Sequence, residues 1–289
     1  MNMPDKEGTA DTAGSTGCGS PVDCDIFDFI ARDVGLTVIH PGGLAATAKL
    51  ADALKIDNNT HVIDIGCGKG TTAVFLAEKY GCRVTAVDIS EDLIETAKSL
   101  AEKKGLGKRI TFFVGDATDI PLPDNTFDVA LSQAVLVFFV DKTPAIREAG
   151  RVLKKGGRAG WLELSWKQEM TGAMSDVITH ELRSHCMEKA ETFEGWRDIF
   201  AKAGITDLTV MEQPFRMSFD VKNMAAMIRD EGIANTLHIM RNYLARRDIR
   251  DRMNAISRIF GEHADFFGCG IYVFEKQDHD NAGAPPVHP

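Results

Sequence analysis

Between His61 and Trp166, short apolar runs alternate with segments whose apolar residues recur every three or four positions. HVIDI (61–65), CRVTAVDI (82–89), ITFFVGDA (110–117) and RAGWLELSW (158–166) read as buried strands, and DNTFDVALSQAV (124–135) as a turn and a further strand. TTAVFLAEKY (71–80), SEDLIETAKSLAEKKG (90–105) and DKTPAIREAGRVLKKGG (141–157) read as helices. Ser90 is the expected N-cap of the second and Gly105 its stop, and paired glycines end the third. This alternation predicts an α/β fold, a mostly parallel sheet with helices on both faces.

The flanks follow other patterns. Asp23–Leu36 has helical spacing at Ile26, Phe29, Ile30 and Val34; IHPGG (39–43) is a break, and Leu44–Leu54 is helical again. Beyond Trp166, residues 169–204 read as mostly helical, 207–215 as a strand, 221–263 as a long helical stretch and 268–276 as a closing strand. A helical insertion before the last strand is expected to form a lid over the carboxyl edge of the sheet, where ligands bind in such folds. The alternative is an outer layer that only thickens the domain. The expected organisation is a structureless tail (1–22), an N-terminal helical segment over the active site (23–57), a cofactor-binding core (58–166), a substrate and lid region completing the sheet (167–276) and a second tail (277–289). No internal repeat is visible.

The chain has 289 residues and a net charge of −9, which argues against a nucleic-acid surface. It contains no apolar run of membrane-spanning length, and its first residues lack the features of a signal peptide. Six cysteines without a CxxC pair point to free thiols in a reducing compartment, hence a cytoplasmic protein with no metal site.

The candidate chemistry starts at Asp64 and the glycines Gly66, Gly68 and Gly70. The spacing is GxGxG, and Thr71 stands where a dinucleotide fingerprint has its third glycine. A carboxylate two residues before the first glycine would repel a pyrophosphate and suit a ligand bearing an ammonium. S-adenosylmethionine is such a ligand. Asp88, at the end of the second strand, can accept the ribose hydroxyls, a device that NAD enzymes share.

VIDIGCGKG, VTAVDIS, VGDATDIPLPDNTFDVALS and REAGRVLKKGGRAGWLELS, within residues 61–166, resemble in order and spacing the successive motifs of class I S-adenosylmethionine-dependent methyltransferases. The resemblance is nearest to the ubiquinone/menaquinone-type (type 11) small-molecule enzymes. It implies a Rossmann-like, seven-stranded, mostly parallel sheet whose last strand is antiparallel. By position, Asp64 and the loop Gly66, Cys67, Gly68 and Gly70 would hold the methionine part of the cofactor. Asp88 would bind the ribose, Ile89 flank the adenine, and Asp116 bind the adenine amino group beside Ala117. Ser132 and Gln133 would lie near the sulfonium. Each has a plainer reading: Asp64 as a turn cap, Asp116 as a turn residue, Cys67 as loop filler. Asp128 reads as structural.

The similarity weakens after Trp166, so the acceptor does not transfer. LSQAV stands where amino-group methyltransferases of DNA and glutamine carry [ND]-P-P-[YF], which favours a small-molecule acceptor over a base amine. His40 and Glu163 are the candidate catalytic residues, each with a structural alternative. His180 and His185 read as surface residues. Arg246, Arg247, Arg250 and Arg252 read as a solvated helix face or, alternatively, an anion site. Apart from Met1 and Met3, all methionines lie from Met170 onward, which fits an adaptable apolar lid or a loosely packed layer. Three other functions remain open at this point: an arsenite methyltransferase, a non-catalytic S-adenosylmethionine-binding protein and a NAD-dependent oxidoreductase. For the first, Cys24, Cys186 and Cys269 are scattered candidates, and Gln133 stands where a cysteine is expected. The oligomeric state is not legible.

Overall fold

The apolar runs form a sheet whose central strands are buried on both faces, and their β-branched residues suit its pleated surface. The computed structural model describes residues 29–169, 191–215 and 224–277. Strands β1 (His61–Ile65), β2 (Arg83–Asp88), β3 (Ile110–Val114), β4 (Phe127–Gln133) and β5 (Leu153–Trp166) form the core, followed by β6 (Glu191–Thr192), β7 (Thr209–Pro214) and β8 (Phe267–Glu275). The order is β3-β2-β1-β4-β5-β8-β7, with β6 paired to the end of β5, so the sheet has eight strands where seven were expected. β8 runs antiparallel to both β5 and β7, and the other pairings are parallel.

Helices α1 (Gly43–Ala53), α2 (Thr71–Tyr80), α3 (Glu91–Lys103), α4 (Thr143–Val152), α5 (Phe193–Lys202), α6 (Met224–Ala245) and α7 (Arg247–Glu262) accompany it. Alternate residues of β1 enter different cores. Val62 joins Leu50, Leu76 and Ile94 of α1–α3, while Ile63 joins Ile146, Trp196 and Phe200 of α4 and α5. Ser90 does cap α3, its hydroxyl accepting the Leu93 N–H at 3.4 Å.

The structure corrects or refines three sequence expectations. Gly156 and Gly157 do not end α4, which stops at Val152. They lie within β5, where the register to β4 shifts, and they exchange backbone hydrogen bonds with Lys276 at 2.9 and 2.8 Å. The long helical stretch expected at 221–263 is helical over the described residues 224–262, in two helices: the extended Arg246 separates α6 from α7, and Gly232 (φ 74°) kinks α6. Of Asp23–Leu36, the described part is a π-helical turn at Phe29–Val34. The expected tails and most of the first helical insert lie outside the described residues, as do His180, His185, Cys24 and Cys186.

α6 and α7 pack against the segment that precedes α1. Phe29, Val34 and Leu36 meet Met227 and Ile239 of α6 and Ile249, Met253 and Ile256 of α7. Polar clamps fix that seam. The Glu231 carboxylate accepts the N–H groups of Thr37 (2.9 Å) and Val38 (3.0 Å), and Asn235 donates to the Gly35 carbonyl at 3.0 Å. Among the described residues, no helix is long and apolar enough to cross a membrane.

Candidate functional site

The strand order reverses between β1 and β4, and the carboxyl ends of the strands there open a crevice. A cavity of about 680 Å³ fills it. Its floor is the turn after β1. The N–H groups of Gly66 and Cys67 both donate to the Val87 carbonyl, at 2.8 and 3.0 Å, and that of Gly70 donates to the Cys67 carbonyl at 2.9 Å. Gly66 has φ 74°, and a Cβ there would lie 2.4 Å from Val135 Cγ2. Gly66→Ala is therefore expected to cost about 2 kcal/mol from the left-handed backbone and the contact together. A thermal melt should show a midpoint lower by about 4–8 °C. A Cβ at Gly68 would meet nothing within 4 Å, so that part of the loop lies open.

Two carboxylates border the loop. Asp88 accepts the Gly68 N–H at 2.8 Å and the Ser90 N–H at 3.0 Å, which ties the loop to the start of α3. Burial raises its pKa against those hydrogen bonds. Asp64 is 2 % exposed, and its Oδ2 has no hydrogen-bond partner. Burial first, and the Asp88 charge second, push its pKa up to about 7. Asp116 reaches the cavity while its Oδ1 accepts the N–H (2.7 Å) and hydroxyl (2.8 Å) of Thr118, so the turn reading also holds. Ile89 and Ala117 lie beside it on the wall.

Gln133 is the hub of a second group. Its Nε2 donates to Thr47 Oγ1 at 3.1 Å, and its Oε1 accepts the Thr72 hydroxyl at 2.9 Å. That leaves the Thr47 hydroxyl to donate to His40 Nε2, 3.2 Å away. His40 lines the cavity, and burial lowers its pKa to about 4, so the ring is neutral at pH 7.

Gly70, Ser132 and Glu163 are not on the cavity wall. Gly70 starts α2 and faces α3, where a Cβ would lie 2.8 Å from that of Ala97. Ser132 precedes Gln133 in β4, so the pleat turns it to the opposite face. Glu163 is wholly buried, and its Oε1 accepts the N–H groups of Val135 (3.1 Å) and Leu136 (3.0 Å). It holds the loop after β4 from behind, which makes it a positioning residue and not the catalytic residue expected.

Asp128 is structural, accepting the His61 N–H at 2.8 Å and pairing with Lys154 at 2.6 Å. The arginines of α6 and α7 are not on the cavity wall. Arg246 pairs with Asp33 and Asp248, Arg247 pairs with Asp251, and Arg252 covers the Phe29 ring. Burial holds the Cys67 thiol far above its ordinary pKa, so it is no nucleophile. Cys269 is buried in β8 away from the cavity. Among the described residues, no three His, Cys, Asp or Glu are placed to hold a metal ion, and of the metalloid candidates Cys24 and Cys186 lie outside those residues.

Sequence reasoning missed Val135, Val137, Phe138 and Phe139 of the loop after β4, Phe215 just after β7, and Met253, Ile256 and Phe260 of α7, all of which line the cavity. The α7 signal was present as an apolar stripe at 249, 253, 256 and 260. Of the described methionines, Met253 reaches the wall, while Met170, Met174, Met187 and Met217 lie outside the described residues.

Residues 63–160 match the family model for a methyltransferase domain. Over those residues the chain carries a class I S-adenosylmethionine-dependent methyltransferase domain. A Haemophilus influenzae protein of uncharacterized function is 29% identical over 239 residues, 81% of this chain and 91% of its own. The methyltransferase GfsG of Streptomyces halstedii is 27% identical over 207 residues, 67% of this chain and 72% of its own. The same fold occurs in Haemonchus contortus phosphoethanolamine N-methyltransferase 2, solved with phosphomonomethylethanolamine and S-adenosylhomocysteine. That structure aligns with a TM-score of 0.67 at 18% identity, over 87% of this chain and 57% of the other. The methyltransferase domain's own geometry fits its cofactor. Asp64 Oδ2 is buried without a protein partner, which suits a cationic donor, and a Cβ at Gly68 would meet nothing within 4 Å, which suits a ligand against the backbone.

Proposed function

We propose that this chain moves a methyl group from S-adenosylmethionine to a small-molecule acceptor held in the same cavity. The observation that carries this reading is the buried, unpartnered Asp64 oxygen beside the open glycine loop. Asp64 would hold the ammonium of the methionine part against the backbone of Gly66, Cys67 and Gly68. Asp88 would accept the ribose hydroxyls, and Ile89, Asp116 and Ala117 would surround the adenine. When bound, the cofactor supplies an electrophilic methyl group on a cationic sulfur.

The chain's own contribution is alignment and the exclusion of water. Gln133 and Thr47 fix the His40 ring, and its neutral imidazole would hold the reacting group of the acceptor. A base of pKa about 4 removes protons poorly at pH 7, so His40 would orient rather than deprotonate. α7 places Met253, Ile256 and Phe260 on the cavity wall, and with α6 it would serve as the cover over the acceptor.

The test incubates the chain with methyl-labelled cofactor and fractionated metabolites, and follows the label by mass spectrometry. Labelled product is expected. Tight binding of S-adenosylhomocysteine without product from any fraction would instead mark a non-catalytic binding protein, and binding of NADH in its place would remove the reading altogether.

A further inference from the structure

The polarity of the cavity wall changes along the sheet. The carboxylates Asp64, Asp88 and Asp116 stand at the ends of β1, β2 and β3, on one side of the reversal in strand order. Among the described residues, the wall from the end of β4 onward is apolar, with Val137 and Phe138 after β4, Leu164 of β5, Phe215 after β7, and Ile256 and Phe260 of α7. Strands lie about 4.8 Å apart, so the apolar half, from β4 to β7 in the order, spans about 14 Å, room for more than a small head group. Packing behind the wall is aromatic. Phe260 stacks on Phe215 with ring centroids 4.9 Å apart and meets Phe267 at 4.7 Å.

The cations on the wall are engaged elsewhere. Among the described residues these are Arg32 and Lys69. Arg32 pairs with Asp92 at 2.7 Å, and the Lys69 ammonium donates to the carbonyls of Ala31 and Leu36. An acceptor bearing a phosphate or carboxylate would lose its hydration against apolar side chains and face the carboxylates across the cavity. The polar point next to the apolar half is the neutral pair His40 and Gln133, enough to orient one hydroxyl or amine.

We infer that the acceptor is an extended apolar molecule that presents one uncharged hydroxyl or amine and carries no phosphate or carboxylate group. This rests on the methyl-transfer reading and narrows it to a substrate class.

The experiment uses the full chain saturated with S-adenosylhomocysteine and the uncharged fluorescent probe N-phenyl-1-naphthylamine. Saturable fluorescence enhancement is expected at micromolar probe, with no displacement by a large excess of phosphoethanolamine or geranyl diphosphate. Ile256→Asp is expected to weaken the probe at least tenfold while S-adenosylhomocysteine affinity changes less than threefold. Ile256 is buried, so the half-buried Phe215→Asp serves as a second variant with the same expectation, and retained S-adenosylhomocysteine binding certifies the fold of each. Displacement by either phosphate compound overturns the inference, as does a loaded protein that binds no probe or binds it equally well in both variants. Failure of S-adenosylhomocysteine to bind is the separate result that removes the methyl-transfer reading itself.

Discussion

Asp64→Asn is expected to weaken S-adenosylhomocysteine binding by about 10²–10³-fold, the consequence of removing one partner of a buried charge pair worth about 3–5 kcal/mol. The side chain keeps its shape, so the loss isolates the charge. The pH dependence gives a sharper signature. In the free chain the Asp64 carboxyl titrates near 7 because it is buried and faces Asp88. An arriving ammonium favours the ionised form, so binding below pH 7 must expel a proton, and affinity should fall as pH drops from about 7 to 5. Calorimetry in two buffers of different ionisation heat should report that proton for the wild type and none for the asparagine variant.

The stability of the free chain runs the other way. A carboxyl whose folded pKa lies above its unfolded value contributes stability that is fully present below about pH 4 and is lost as pH rises through about 7. Without ligand, Asp64→Asn should therefore resist urea better than the wild type at pH 8 and lose that advantage at pH 5. An unchanged affinity in the variant would mean that no ammonium sits at Asp64.

Glu163→Ala is expected to destabilise the chain by about 2–4 kcal/mol, because it strands the buried Leu136 N–H and the part-buried Val135 N–H, at about 1–3 kcal/mol for a buried group, and loss of the buried ionisable group offsets part of this. Glu163→Gln keeps an acceptor oxygen for Val135 and Leu136 and should stay within about 1 kcal/mol of wild type. Burial lifts the Glu163 carboxyl to about 7, opposed by those same N–H groups and by the Lys142 charge. Its stability contribution is thus lost as pH rises through 7, and glutamine should remove that part of the slope. The loop it holds begins at Ala134, which has φ 56°, a conformation costing an L residue about 1 kcal/mol or more. The same loop seats Val135 against Gly66 and carries Val137 and Phe138 on the cavity wall. Urea unfolding at pH 6 and 8 checks the stability order. If Glu163→Gln is as damaging as alanine, the carboxylate does more than accept these two hydrogen bonds.

The carboxylate-bearing half of the cavity wall was legible because its residues sit in one turn or at strand ends. Asp64, Gly66, Cys67 and Gly68 share one turn, and Asp88 with Ile89 and Asp116 with Ala117 stand at or just past the ends of strands that the apolar pattern marks. The apolar half comes from the ends of β4, β5 and β7 and from α7, elements far apart in the chain, and no local pattern says which of them converge. Glu163 shows the limit within a single strand. Period two places it and Leu164 on opposite faces, but which face meets the cavity depends on how β5 pairs with β4 and β8. The paired glycines show it for a boundary, since Gly156 and Gly157 satisfy a helix stop and a strand irregularity equally well until Lys276 arrives to bond them.

By itself, the order of apolar and polar residues determined the alternation of strands and helices, the glycine turn and the carboxylates around it, since each depends on periodicity and backbone freedom within a few residues. Only the tertiary structure decided that Asp64 keeps an oxygen without a partner, that Glu163 braces a loop from behind, and that α7 supplies the apolar wall. Burial, orphaned polar atoms and shifted pKa values arise from neighbours brought together by the sheet order, and sequence spacing alone does not encode that proximity.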